Sequence, residues 1–308
     1  MLKLYDLVPT HERGPFFSPF ATKARLALAS KGIQFKVVPV TYKELQTVWK
    51  EEFKIKMPTV PFIQREDGSY LIDSDKISHW ADQAYPTGPS IFLPTQASDQ
   101  VDFQSEEYKQ AAAKDISQCT LPSNYFDPFL RLGFLTLVGS RTYADFDKWL
   151  VGAVYLPRFA STFDEWTRAY WTSDDRLGPG FWARVSSRDQ GESNHFGSPS
   201  TNSKLNSSPH SVSYSDECLA ELQKGLDEFG EKHLNSEKGQ LYLQDLSAPG
   251  HLDFSLMGFV RMLSACSHAL VKKTFARPDT HLAKWLDRML SHDQIAKEWK
   301  ALSVRDPA

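Results

Sequence analysis

The sequence predicts an α+β protein in which a small domain of strands and helices precedes a larger all-helical domain. Strand and helix periodicities alternate over roughly the first eighty-five residues. Two of the predicted strands are separated only by a short segment that contains Asp67-Gly68, a dipeptide typical of tight hairpins. After residue 98 helical periodicity dominates and the strand signals fade.

The N-terminal elements follow the order βαβ-αββα. Apolar residues recur on one face of the first helix, and Gly32 follows that helix where a left-handed residue is expected to end it. Because two neighbouring strands form a hairpin, the pattern is that of a thioredoxin-like domain and not of a doubly wound one. The predicted elements are a strand at 3–8, a helix at 19–31, a strand at 34–40, a helix at 42–53, strands at 59–64 and 70–72, and a helix at 74–84.

The domain boundaries follow from composition. We predict a thioredoxin-like domain at 1–86, a linker at 87–98 that is rich in Gly, Pro and Ser, and an all-helical domain at 99–308. The segment 186–215 is rich in Ser, Asn, Gly and Pro, has few aliphatic residues, and is predicted to be a disordered insert. Such a segment within a helical domain indicates either an insertion or an imperfectly predicted gene product. Later in the domain, Asp253 stands three residues after Gly250, where its carboxylate is expected to cap the start of a buried helix.

Charge and composition exclude several classes of partner. The 35 Lys and Arg against 38 Asp and Glu give a net charge of −3, without the basic surface that nucleic acids or membranes require. The only cysteines, Cys119, Cys218 and Cys266, suit neither a disulfide framework nor a zinc site. The 9 histidines show no HxxxH or HExxH spacing, so we expect no metal. Without a recognisable signal peptide or membrane helix, a cytoplasmic protein is expected.

Three short motifs, in this order, describe one binding pocket. Ser18-Pro19 begins a helix, with a hydroxyl that caps it and a proline that has no amide to leave unpaired. Val60-Pro61 is an X-Pro pair at a strand entrance, which often holds the cis isomer and leaves the Val60 backbone exposed for pairing with a peptide. Asp73-Ser74 begins a second helix, where free amides favour a carboxylate and Asp73 suits an amino group. Each motif alone is common in structural roles, but together they fit a small peptide that bears both a free amine and carboxylates.

The residues that carry these motifs resemble the glutathione-site motifs of the glutathione transferase superfamily. The resemblance involves Ser18–Ala21, Met57–Pro61 and Asp73-Ser74, and the helical part with Gly250–Asp253 is similar to the second domain of that superfamily. The segments 18–32 and 251–290 look most like the etherase-type transferases of fungi and bacteria. The resemblance implies a thioredoxin-like domain followed by a helical domain, glutathione as co-substrate, and frequent homodimers.

Carried over to this sequence, the resemblance gives each motif a role. Ser18 would hydrogen-bond the glutathione sulfur, Val60 with Pro61 would present the backbone to the cysteinyl residue, and Asp73 with Ser74 would hold the γ-glutamyl end. The nucleophile would belong to glutathione, so neither a metal nor a protein base is required.

The sequence departs from the family pattern at three positions. Some members use a tyrosine of the first strand, and Tyr5 lies in that element, although Ser18 fits the helix start better. Some members carry a lysine directly before the Val60 position; here Lys56 is the nearest substitute, and it also suits a solvated surface position. Gly250 replaces the hydroxyl cap that is often found at the start of the later helix.

Aromatic residues on both sides of the predicted domain boundary suggest a cleft for a hydrophobic second substrate. Ordinary core packing explains the same residues equally well. They are Phe16, Phe17 and Phe20 beside Ser18, with Tyr125, Phe126 and Phe129 in the helical domain.

The leading hypothesis is a glutathione transferase that acts on a hydrophobic electrophile, such as an aryl ether. The alternative is a non-catalytic carrier of aromatic metabolites, or a regulatory scaffold, that keeps the same fold. Thiol-disulfide reduction is disfavoured because Ser18 stands where a redox cysteine would be required.

Overall fold

The computed structural model describes residues 1–11, 15–86, 88–94, 98–119, 165, 169, 216–243, 248–266 and 268–304. Tyr125, Phe126, Phe129 and the predicted insert at 186–215 lie outside the described residues. No described helix is long and apolar enough to cross a membrane.

The N-terminal part of the chain contains a four-stranded mixed sheet with strand order β2-β1-β3-β4. Strands β1 and β2 are parallel, with Leu4 opposite Val37, whereas β1–β3 and β3–β4 are antiparallel. The parallel pair requires a crossover helix and the antiparallel pair needs only a hairpin, so the sheet is that of a thioredoxin-like domain. The strands are β1 Leu2–Leu7, β2 Phe35–Val40, β3 Phe62–Gln64 and β4 Tyr70–Ile72.

Helices flank this sheet and make up most of the described chain after it, which confirms the predicted α+β class. The N-terminal helices are α1 Pro19–Ser30, α2 Tyr42–Glu44, a π-helical turn at Leu45–Trp49, α3 Lys50–Phe53 and α4 Ser74–Ala84. The later described helices are α5 Glu106–Cys119, α6 Asp216–His233, α7 His251–Cys266, α8 His268–Lys273, α9 His281–Ser291 and α10 Asp293–Ser303, with short 3₁₀ turns at Ser98–Gln100 and Ser236–Lys238.

Most of the predicted N-terminal elements agree with the structure to within one residue at each end, and two show a larger difference. The strand predicted to start at residue 59 begins only at Phe62, after the cis peptide bond between Val60 and Pro61. Pro61 has no amide hydrogen to donate to a ladder, so pairing starts one residue later. The helix predicted at 42–53 is interrupted by the π-helical turn and ends at Phe53, followed by Lys54 in the left-handed conformation with a φ of 54°. Gly32 has a φ of 67°, as expected at the end of α1.

Helix α7 lies at the centre of the core, with almost every described side chain buried. The Asp253 carboxylate accepts hydrogen bonds from the Gly250 amide at 3.0 Å, the Leu243 amide at 3.1 Å and the Trp285 indole nitrogen at 2.7 Å. The predicted cap is therefore confirmed. Burial raises the pKa of Asp253 to about 6, although these donors oppose the shift. One residue thus fixes the start of α7, the preceding loop and helix α9.

A buried cation joins the sheet, α1 and the last helix. Arg25 is 1% exposed, and its guanidinium contacts the Asp6 carboxylate of β1 at 3.0 Å and the Glu298 carboxylate of α10. Burial raises the pKa of Asp6 to about 6, with Arg25 opposing the shift. Since each of these charges has lost its water, each depends on the others for compensation.

Replacing Arg25 with methionine should destabilise the protein by about 3 to 5 kcal/mol, because two buried carboxylates lose their counter-charge. The free energy of unfolding at pH 7, from urea titration, measures the loss. Lys224→Met is the control, since Lys224 and Glu228 form an exposed pair 3.9 Å apart and should contribute less than about 1 kcal/mol. Equal losses in the two variants would contradict a structural role for the buried cation.

Candidate active site

Ser18 caps helix α1 and keeps its hydroxyl proton available. Its Oγ accepts a hydrogen bond from the Ala21 amide at 3.2 Å, and its backbone is extended, with φ −67° and ψ 119°. The Ser18 carbonyl accepts both the amide and the hydroxyl of Thr22 at 3.0 Å. Among the described residues nothing accepts the Ser18 hydroxyl proton. The residue is therefore a donor at the positive end of a helix dipole, where negative charge is stabilised.

Val60 presents an unpaired main-chain amide and carbonyl. The bond between Val60 and Pro61 is cis, as predicted, and the residue stands just before β3. Within the described ranges, neither main-chain group of Val60 has a hydrogen-bond partner. These two groups are therefore available to pair with an extended peptide.

Asp73 and Ser74 form the start of helix α4. Asp73 has a φ of 94°, a conformation that is costly for a residue with a side chain and that persists mostly at functional positions. Its Oδ1 accepts the amides of Asp75 at 2.8 Å and Lys76 at 3.2 Å. In the described part of the chain, the amide and hydroxyl of Ser74 have no partner. The helix start therefore offers two donors for an anion beside a carboxylate that suits an amine.

Two contacts bring the three motifs towards one another. The Asp73 amide donates to the Pro61 carbonyl at 3.2 Å, which joins the second motif to the third. Helix α1 packs against α4, and Lys23 of α1 pairs with Asp75 of α4 in a buried contact. The N-termini of both helices are thus linked to each other and to the strand entrance.

Asp75 also contacts the helical domain, through a residue that sequence patterns did not indicate. His251, the first residue of α7, is fully buried and lies 3.0 Å from Asp75 through its Nε2. Burial lowers the pKa of His251 to about 4, with Asp75 opposing the shift, so the ring is neutral at pH 7 and donates its Nε2 hydrogen. Burial would raise the pKa of Asp75, but the hydrogen bond from His251 and the charge of Lys23 outweigh it and lower the pKa to about 2.

Replacing His251 with glutamine, which can also donate but does not titrate, should remove a pH-dependent part of the stability. In the unfolded chain His251 is protonated as the pH falls below about 6.5, whereas in the folded chain it is protonated only below about pH 4. The free energy of unfolding of the wild type should therefore fall by roughly 3 kcal/mol relative to that of the variant as the pH falls through that window. Urea unfolding at several pH values between 7.5 and 4.5 measures the difference. If the free energy of unfolding of the two proteins changed with pH in the same way, a buried neutral histidine would be refuted.

The structure places Tyr5 in an aromatic cluster on the sheet face opposite Asp6 and α1. Tyr5 is 6% exposed, with its ring stacked on Phe62 at 4.4 Å and edge-on to Trp49 at 4.8 Å. Neighbouring Asp6 points to the α1 face of the sheet, and successive side chains of a strand point to opposite faces. Burial, with Tyr70 nearby, raises the pKa of Tyr5. This position favours Ser18 over Tyr5 as the thiol ligand.

The other predicted site residues have different surroundings. Lys56 is exposed before Pro58, and none of the ion pairs between described residues includes it. Phe16 and Phe17 are buried and pack in the hydrophobic cores. Phe20 is 43% exposed, so its ring is the best candidate of the three for the predicted hydrophobic wall.

A pocket of about 510 Å³ adjoins Asp73. Ser18 and Val60 are not among its lining residues, so the pocket adjoins the third predicted motif and neither of the first two. Its lining combines cationic, acidic and apolar side chains: Arg65, Leu71, Asp73, Asp75, Lys76, His79, Trp80, Gln83 and Ile116.

Comparison with known proteins agrees with this arrangement. Residues 16–90, which include all three motifs, match the family profile of the glutathione S-transferase N-terminal domain. No curated protein matches the chain significantly.

Solved structures of glutathione transferases share the fold over nearly the whole chain. Transferase GSTFuA3 from Phanerochaete chrysosporium is 17% identical, covers 96% of each chain and superimposes with a TM-score of 0.53. Beta-etherase LigF from Sphingobium is 15% identical, with 97% of this chain and 99% of that chain covered and a TM-score of 0.52. A Ceriporiopsis subvermispora transferase, solved in complex with glutathione, is 17% identical with 98% of each chain covered and a TM-score of 0.51.

Residues 16–90 match the model of the glutathione S-transferase N-terminal domain. The arrangement of a thioredoxin-like domain followed by a helical domain is the fold of the glutathione transferase structures compared above. At these identities the structural likeness establishes the fold, whereas the activity depends on the site residues described above.

Proposed function

We propose that the protein is a glutathione transferase in which Ser18 stabilises the glutathione thiolate. The observation that carries the proposal is the Ser18 hydroxyl, which accepts the Ala21 amide while its proton has no acceptor among the described residues. A hydroxyl in this state at a helix N-terminus can donate to a sulfur anion.

The Ser18 hydroxyl and the N-terminus of α1 can together stabilise a thiolate by the amount that the mechanism requires. Lowering a thiol pKa from ~8.5 to ~6.5 takes about 2.7 kcal/mol of preferential thiolate binding. A hydrogen bond to a charged group contributes about 1.5 to 3 kcal/mol, and a helix N-terminus adds about 0.3 to 1 kcal/mol. No metal or protein base has to take part in this ionisation.

The remaining glutathione contacts follow from the unpaired groups of the site. The Val60 amide and carbonyl pair with the cysteinyl backbone beside Pro61, and the Ser74 hydroxyl and amide bind the γ-glutamyl carboxylate. Asp73 has an Oδ2 with no partner within the described residues, and this atom suits the γ-glutamyl amine. Lys56 is exposed and would approach the peptide from solvent.

The bound thiolate then attacks an electrophilic carbon. A carbon–sulfur bond forms as the bond to an ether oxygen or a halide breaks, and the leaving group departs with the electron pair; with an activated alkene, the thiolate adds instead. The structural likeness to a beta-etherase supports an aryl ether as substrate. Phe20 offers an exposed aromatic ring beside Ser18 for such a ligand. A homodimer, a cytoplasmic location and a role in detoxification stay predictions from the family resemblance.

Ser18→Ala should lower turnover by about 10- to 100-fold and raise the pKa of bound glutathione by about one to two units, since one charge-assisted hydrogen bond is lost. The affinity for glutathione should change little because the other contacts persist. Thiolate absorbance as a function of pH, steady-state kinetics with an aryl-ether panel, and calorimetric titration of glutathione measure these quantities.

Thr280→Ala is the matched control for this variant. Thr280 caps α9 with a bond from the Ala283 amide at the same 3.2 Å, so both variants should lose about 1 kcal/mol of stability. Only the Ser18 variant should lose turnover. Unchanged turnover in Ser18→Ala would remove the hydroxyl from the mechanism, and glutathione binding without conjugation in wild type would favour the carrier function.

Ser74→Ala should weaken glutathione binding by about tenfold or more, because a donor to the γ-glutamyl carboxylate is lost. The pKa of the bound thiol should stay within about half a unit of wild type. Ser78→Ala is the control one turn later in α4, where the hydroxyl donates to the Ser74 carbonyl at 3.0 Å and no ligand contact is expected. Equal affinities in the Ser74 variant and wild type would place the γ-glutamyl group elsewhere.

A further inference from the structure

The segment that carries Ser18 has no secondary structure of its own. Residues 15–18 lie between the undescribed residues 12–14 and the first turn of α1. Phe16 and Phe17 are nevertheless buried, as is Ser18 at 6% exposure. An irregular segment keeps a defined position only when its neighbours hold it.

Helix α7 of the helical domain supplies one of these contacts through Arg261. The Arg261 side chain is fully buried, and its Nε donates to the Phe16 carbonyl at 2.8 Å. The Arg25 guanidinium lies 4.9 Å from the centre of the Phe16 ring. Phe16 is thus held at its backbone by one domain and at its ring by the other.

The second contact is the direct approach of two backbones at Gly258. A β-carbon at this position would lie 2.4 Å from the Pro19 carbonyl oxygen and 3.0 Å from the Pro19 carbonyl carbon. Gly258 is in the middle of α7 with an ordinary helical backbone, so glycine is required here for space and not for conformation. Real β-carbons do not approach other atoms below 3.0 Å, so an alanine would push the helices apart by more than half an ångström.

We propose that Gly258 and Arg261 are positioning residues that set where the Ser18 hydroxyl stands relative to the rest of the glutathione site. The proposal rests on the function proposed above. Pro19 is bonded directly to Ser18, so a displacement of the Pro19 carbonyl moves the capping residue as well. Val60 and Ser74 are also held by strands β3 and β4 and by the bond from the Asp73 amide to the Pro61 carbonyl, while α7 reaches the start of α4 through the side chains of His251 and Asp75. Crowding at Gly258, which acts directly on the Pro19 backbone, should therefore displace the thiol end of the pocket more than the peptide-binding end.

Gly258→Ala tests this, with Gly230→Ala as the matched control. At Gly230 a β-carbon would meet the His281 β-carbon at 3.1 Å, a milder crowding between α6 and α9 that does not involve Ser18. We expect Gly258→Ala to lower kcat about tenfold and to raise the pKa of bound glutathione by about one unit, with little change in glutathione affinity. Gly230→Ala should change stability without changing the thiol pKa.

Two further measurements keep the proposal testable. Crystal structures superposed on strands β1–β4 should show Ser18 displaced by at least about half an ångström relative to Val60 and Ser74 in Gly258→Ala only. If that variant does not fold, Arg261→Met should raise the thiol pKa, and Arg261→Lys, which keeps a donor and the charge, should restore it in part.

The outcomes separate the two proposals. An unmoved Ser18 in Gly258→Ala, or a thiol pKa equal to that of Gly230→Ala, would overturn the positioning role while leaving the proposed function intact. If wild type formed no thiolate with saturating glutathione, the proposed function would fail. In that case the crystal structures alone would support or overturn the positioning role.

Discussion

Helix α1 carries two buried cations, Lys23 and Arg25, whose carboxylate partners come from three other elements of the fold. Arg25 contacts strand β1 and helix α10, and Lys23 contacts the start of α4. A buried charge is tolerated only when its partner is held in place, so these pairs constrain where each element lies. Because Ser18 begins the same helix, the constraint extends to the candidate active site.

The site combines two helix N-termini with a buried group of side chains, the Lys23–Asp75 ion pair and the neutral His251, whose charges sum to zero. Ser18 and Ser74 each present groups that stabilise an anion, at opposite ends of the same predicted ligand. Asp75 pairs with the buried Lys23 and so compensates its charge, and His251 stays neutral beside them. In the proposed function, the anionic peptide would be bound mainly by oriented dipoles and hydroxyls, which need little reorganisation when charge develops on the sulfur.

The helical domain contributes to this site through contacts that do not touch the ligand. His251 and Arg261 of α7 reach across to Asp75 and to the Phe16 carbonyl, while Gly258 permits the backbone of α7 to meet Pro19. Under the positioning role proposed above, the place of the serine depends on both domains. A change in α7 would then alter the proposed chemistry at Ser18 without touching the proposed glutathione contacts.

The sequence alone determined the features that depend on local chemistry. The helix start at Ser18-Pro19, the left-handed Gly32, the cis bond before Pro61 and the cap at Asp253 each follow from residues within a few positions of one another. Tertiary structure decided what depends on distant residues. His251 and Asp75 are 176 positions apart, and Arg261 and Phe16 are 245 apart. No local pattern pairs such residues, because their contact arises only when α7 packs on α1 and buries both. Tertiary packing also determines that Phe16 and Phe17 are buried whereas Phe20 is exposed. Whether one of several neighbouring apolar residues is buried depends on which other elements pack against it.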